Sequence, residues 1–159
     1  MNHSSTRKIT FGGVIAALYV VLTVVANAFG LASGAIQVRI SEALTILPVF
    51  TTAAIPGLTV GCVLANLITG CAPWDVVFGS LATLIGAVGT RMLRKKPLLA
   101  WIPPVIANIA IVPVVLQKVY GVPDAWWYLA LTVGAGEVIS CGILGLLLYH
   151  SVKNIPQLR

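Results

Sequence analysis

From Ile9 to Phe29 the chain runs for about twenty residues without a charged side chain. At ~1.5 Å per residue, a helix of that length covers the ~30 Å hydrocarbon core of a bilayer. Water is absent there, so every backbone N–H and C=O must be satisfied by the protein, which leaves α-helices and closed β-barrels. The run lacks the alternation of polar and apolar residues that a barrel strand needs, so helix remains. The same character extends along the chain. Of its 159 residues 58% are hydrophobic and 9% charged, with mean hydropathy +1.00, against about 25% charged residues in a soluble domain. The expectation is an all-α integral membrane protein with one membrane domain over residues 1–159. Arg7 and Lys8 lead into the first run without a small-residue cleavage site, so it reads as a retained span rather than a signal peptide.

Five further apolar segments follow. Segment two (about Ile40 to Ala54) and segment three (about Leu58 to Thr69) are joined by Pro56-Gly57, a turn signal. As helices they reach only about 18–22 Å, short of a full crossing. Segment four runs from Trp74 to about Met92, and segment six from about Ala125 to Tyr149. Segment five, about Leu98 to Leu116, carries Pro103, Pro104 and Pro113 and is expected to be kinked. Six segments form a six-transmembrane-helix bundle with both termini on one side. Arg7, Lys8, Arg91, Arg94, Lys95, Lys96, Lys153 and Arg159 fall on that side, against Arg39 and Lys118 opposite. The positive-inside rule makes it cytoplasmic. The net charge of +6 is therefore a topology signal rather than a nucleic-acid footprint, since the basic residues sit at segment ends.

The acids are distributed the other way. Glu42, Asp75 and Asp124 fall at the outer ends of segments two, four and six, and Glu137 lies about 18 Å into segment six. A polar group in hydrocarbon is costly unless it faces the bundle interior and holds a partner. Arg39, Ser41, Glu42, Thr45, Asn66, Asp75, Asn108 and Glu137 are accordingly candidate lining residues of an outward-facing cavity. Each has a plainer reading. Arg39 and Glu42, three residues apart, can pair with each other. Asn66 and Asn108 can join helices by hydrogen bonds, and Glu137 can be a neutral carboxyl bonded to backbone. Trp74, Trp126, Trp127 and Tyr128 fit an interfacial aromatic belt, of which one can stack on a ligand. Gly12, Gly13, Ala16 and Ala17 form two small-xxx-small pairs, which suit close approach either of another helix of this chain or of a partner protein.

Several chemistries are disfavoured. No G-x-x-x-x-G-K-[ST] run is present, so the chain does not hydrolyse ATP by the P-loop route. His3 and His150 lie near the termini, away from any nucleophile–base pair or His-ligated metal site. Cys62, Cys71 and Cys141 are scattered in apolar segments without metal or redox spacing. No catalytic residue, metal or cofactor is expected. Segments one to three do not echo four to six, which weakens an inverted-repeat transporter.

The run from Ile36 to Pro48 contains Arg39-Ile40-Ser41-Glu42-Ala43-Leu44-Thr45. With Ile55-Pro56-Gly57, Ala65-Asn66-Leu67 and Asp75 to Leu84, it resembles the QueT family. These are substrate-binding S components of energy-coupling factor (ECF) transporters associated with queuosine precursors. The resemblance covers most of the chain in order. It implies a six-helix subunit of the prokaryotic plasma membrane whose site opens outward and is capped by the loop after segment one. That subunit would dock through small residues of segment one onto a transmembrane coupling subunit carrying two ATPases. The implied ligand is a deazaguanine base: the aminomethyl or cyano precursor, or queuine. Glu137 or Glu42 would accept from its N–H edge, Asn66 and Asn108 would complete the pattern, Asp75 would meet an amine, and Trp74 or Trp127 would cover the ring. Where S components often carry Ala-xxx-Ala, this chain offers Gly13-xxx-Ala17 and Gly12-xxx-Ala16. The alternatives are an S component for another vitamin or nucleobase, and a non-transporting membrane assembly subunit in which the charged residues face partners.

Overall fold

The computed structural model describes residues 3–31 and 36–155. Ala32 to Ala35, most of the expected capping loop, and Arg159 of the basic tally lie outside the described residues. Every described element is helical: α1 (His3–Ala28), a 3₁₀ segment (Ile40–Val49), α2 (Ala54–Ile68), α3 (Pro73–Met92), a short 3₁₀ turn (Pro97–Leu99), α4 (Ile102–Lys118), α5 (Trp126–Glu137), a π-helical run (Val138–Leu144) and α6 (Gly145–Val152). Four stretches are long and apolar enough to cross a membrane: Ser5–Ala28, Pro73–Met92, Pro97–Lys118 and Trp126–Val152, the last joining α5, the π run and α6. The 3₁₀ segment and α2 are shorter.

The 3₁₀ segment is the centre of the bundle. Residues Ser41 to Pro48 are all buried, packed by α1, α3, α6 and the π run. A 3₁₀ helix rises ~2.0 Å per residue against ~1.5 Å for an α-helix, so tighter winding draws these ten residues out to about 20 Å. Its far end is held by Arg91, whose Nη1 donates to the carbonyls of Pro48 (3.0 Å) and Val49 (3.1 Å). Arg91 thus does local work beyond marking topology, satisfying carbonyls that a helix end leaves open.

Two expectations about proline are corrected. Pro56-Gly57 does not form the turn between segments two and three; the turn falls at Phe50 to Ala53, and Pro56 lies in the first turn of α2, where a missing N–H costs nothing. Segment five begins near Leu98 as read, in the apolar stretch Pro97–Lys118, but as a short 3₁₀ turn followed by α4. Pro103 and Pro104 occupy the first turn of α4, so of the three prolines Pro113 alone lies in a helix interior.

Gly57 has another reason to be small. A Cβ there would lie 2.6 Å from the Gly12 carbonyl oxygen, and one at Gly61 would lie 2.8 Å from Tyr19 Cβ. Gly12-xxx-Ala16 of α1 therefore packs against Gly57-xxx-Gly61 of α2, the contact that small residues permit between membrane helices. Gly13 and Ala17, one position round, are exposed. The apolar core gathers Ile15, Tyr19, Leu44, Leu47, Leu58 and Cys62, with Phe50 and Val152 against it. The described chain ends and the basic residues of the α3–α4 connection share this end of the bundle, and among the described residues the opposite end holds a polar cavity.

Candidate functional site

At this opposite end, the last turns of α1, α2 and α4 and the first turn of α3 surround a cavity of about 370 Å³, within the ~300–1,000 Å³ range of small-molecule sites. Arg39, at the head of the 3₁₀ segment, Asn66 and Asp75 line it, together with Tyr19, Gln37 and Tyr120. Asp75 is buried in the first turn of α3, where the helix dipole favours a carboxylate. Tyr120 donates to Asp75 Oδ2 at 2.8 Å and accepts the Ala72 N–H at 3.1 Å. Burial first, and then the Asp75 hydrogen bond and charge, push the Tyr120 hydroxyl up to about 12, so it stays a proton donor. Gly79 keeps the neighbouring wall low: a Cβ there would meet Asn66 Nδ2 at 3.2 Å and Asp75 Oδ1 at 3.4 Å.

Beneath the cavity lies a second polar layer, fully buried. Tyr19, shared by both, donates its hydroxyl to Glu42 Oε1. Glu42 and Thr45 stand on one edge of the 3₁₀ segment, because side chains three apart eclipse in that geometry, and they face the π run. Thr45 Oγ1 lies 3.5 Å from Cys141 Sγ, and Cys141 donates to Glu137 Oε2 at 3.2 Å. Ser140 Oγ accepts the Arg39 N–H at 3.1 Å. Asn108 of α4 lies beside Glu137, close enough to interact with it, yet its Nδ2 completes no hydrogen bond among the described residues. Arg39 and Glu42 form no ion pair; Glu42 bonds Tyr19 instead. Glu42, Glu137 and Cys141 bring donor atoms within 4.8 Å of one another, a spacing at which three ligands can hold a small cation.

Of the residues singled out in the sequence, Arg39, Ser41, Asn66 and Asp75 line the cavity, and Glu42, Thr45, Asn108 and Glu137 lie in the buried layer below it. Trp74 and Trp127 are each 63% exposed on the outer surface, Trp74 stacked on Phe78 and Trp127 edge-on to Tyr128. Tyr19 and Tyr120 were not anticipated. Tyr19 was detectable, since its hydroxyl falls on the stripe of α1 that carries Gly12 and Ala16.

Fold and site together define a helical membrane protein with a polar, small-molecule-sized cavity at one end of its bundle. A family model described as QueT transporter matches residues 9–154. The chain belongs to the QueT transporter family. It is similar, at 36% identity over 86 residues, to a protein of Lactococcus lactis subsp. cremoris (strain MG1363) named queuosine precursor transporter QueT. That match covers 54% of this chain and 50% of the relative, so the chain spans about half the length of the curated relative it matches. No solved structure matches the chain.

Proposed function

We propose that the chain, as a single membrane domain, is the S component of an ECF-type importer and captures a queuosine precursor, a deazaguanine base, from outside the cell. The six helical segments then cross or enter the plasma membrane with both termini and the basic end in the cytoplasm. The chain does no catalysis, and ATP is hydrolysed by two partner ATPases bound to a transmembrane coupling subunit. Family membership supports transport of this substrate class. The observation that carries the site is the polar cavity with buried carboxylates at and below its floor, since a carboxylate accepts well from the N–H groups of a base. Asp75 meets the amine of an aminomethyl precursor, and Arg39 and Asn66 close the walls. The exposed Gly13-xxx-Ala17 strip docks onto the coupling subunit, because Gly12-xxx-Ala16 is already occupied by α2.

Equilibrium binding by purified variants tests the site. Glu42→Gln and Glu137→Gln are each expected to weaken binding of the base about ten- to a hundredfold, the worth of a charge-assisted hydrogen bond. Wild-type affinity in both variants would remove the carboxylates from the site.

A further inference from the structure

Two buried groups from two other elements meet Glu137 of α5. The carboxylate of Glu42 reaches it from the 3₁₀ segment, with donor atoms within 4.8 Å, and the Asn108 amide reaches it from α4. Glu42 is 1% exposed and Asn108 2%, yet Glu42 Oε2 and Asn108 Nδ2 have no hydrogen-bond partner among the described residues. A buried acceptor or donor left unmade carries its full desolvation cost until a partner arrives. The backbone here is also irregular twice over: a ten-residue 3₁₀ helix faces a seven-residue π run. Long 3₁₀ runs are uncommon, and π-bulges occur frequently at functional sites. Tyr19 and Ser41 line the cavity, and Tyr19 bonds Glu42, so this buried group lies directly behind the cavity wall.

Glu42, Glu137 and Asn108 present two acceptors and a donor, with Glu137 the neighbour common to the other two. The complementary ligand edge offers two donors and an acceptor. An aminopyrimidinone has that edge in its exocyclic amine, ring N–H and carbonyl, and guanine and deazaguanine share it. We infer that these three residues read this edge: Glu42 accepts from the exocyclic amine, Glu137 accepts from the ring N–H, and Asn108 Nδ2 donates to the carbonyl. The inference rests on the proposed base-binding role and specifies which half of the base is recognised. The five-membered half, on which queuosine precursors differ, then faces the open cavity, Asp75 and Tyr120. A site built to hydrogen-bond such groups rejects analogues that lack them, because its own buried atoms are left unpaired.

The test compares a deazaguanine base with two analogues on the purified wild-type protein in detergent. One analogue lacks the exocyclic amine; the other is O-methylated, which removes the ring N–H and turns the carbonyl into an ether. Each is expected to bind about ten- to a hundredfold more weakly than the parent base. The penalty for losing the amine is expected to shrink in Glu42→Gln, and the penalty for O-methylation in Asn108→Leu. Equal binding of all three bases by the wild type overturns the inference and leaves base capture standing, and this comparison needs no variant to fold. Failure of the wild type to bind any deazaguanine base removes the proposed function and this inference with it.

Discussion

Tyr120 links the wall of the cavity to the titration of a single side chain. A free phenol ionises near pH ~10, and in the folded protein this is delayed to about 12 by burial and by Asp75. The unfolded chain therefore loses this proton first as pH rises. The contribution of Tyr120 is fully present below pH ~10 and disappears as pH climbs through about 12. Tyr120→Phe removes the titrating group, so thermal unfolding across that window is expected to show a shallower fall with pH in the variant than in the wild type. Identical slopes would remove the Tyr120–Asp75 bond from the account. At this scale the sequence was informative where polarity was expensive. Asn66, Asp75, Asn108 and Glu137 stand out because amides and carboxylates are rare in apolar runs, and the structure draws them to one end and its floor. Tyr120 is inconspicuous because a phenol adds one hydroxyl to a large apolar ring and blends into an aromatic belt, whereas Tyr19 lies within α1 on the stripe of Gly12 and Ala16.

Among the elements, the small-residue stripe of α1 divides in two. Gly12 and Ala16 touch Gly57 and Gly61 of α2, whereas a Cβ at Gly13 would meet nothing within 4 Å. Gly57→Ala forces backbone of α1 and α2 apart and is expected to cost about 1–3 kcal/mol, seen as a lower unfolding temperature. Gly13→Leu is expected to leave unfolding temperature and base affinity unchanged while abolishing uptake in cells. Normal uptake by Gly13→Leu would move the docking face elsewhere. The split itself could not be read from sequence, because two overlapping pairs one residue apart differ only in which way the helix is rotated. Helix type was equally hidden. Spacing placed Arg39 and Glu42 on one helix face, but Arg39 is the extended residue ahead of the 3₁₀ segment, which stacks Glu42 over Thr45 and leaves Tyr19 as the Glu42 partner. Pro56-Gly57 carries a turn signal in the sequence, whereas in the fold Gly57 lets α1 and α2 touch.

For the whole molecule, length and hydropathy sufficed for α1, α3, α4 and the composite helix from Trp126 to Val152. They could not show that a ten-residue segment threads the middle of the bundle, because its burial depends on every neighbour at once. The assembled shape separates two tasks. A basic end carries the exposed Gly13-xxx-Ala17 strip, the proposed docking face, and the other end carries a polar cavity with a buried polar layer beneath it. On the proposed function, capture of the base belongs to this chain alone, while its movement requires partners and ATP. The most direct measurement is equilibrium binding of a deazaguanine base to the purified chain in detergent, with no partner and no ATP present. The account predicts saturable binding at one site per chain, with adenine failing to compete. Absence of saturable binding by the isolated chain, when the same base is taken up by cells carrying the complete transporter, would contradict it.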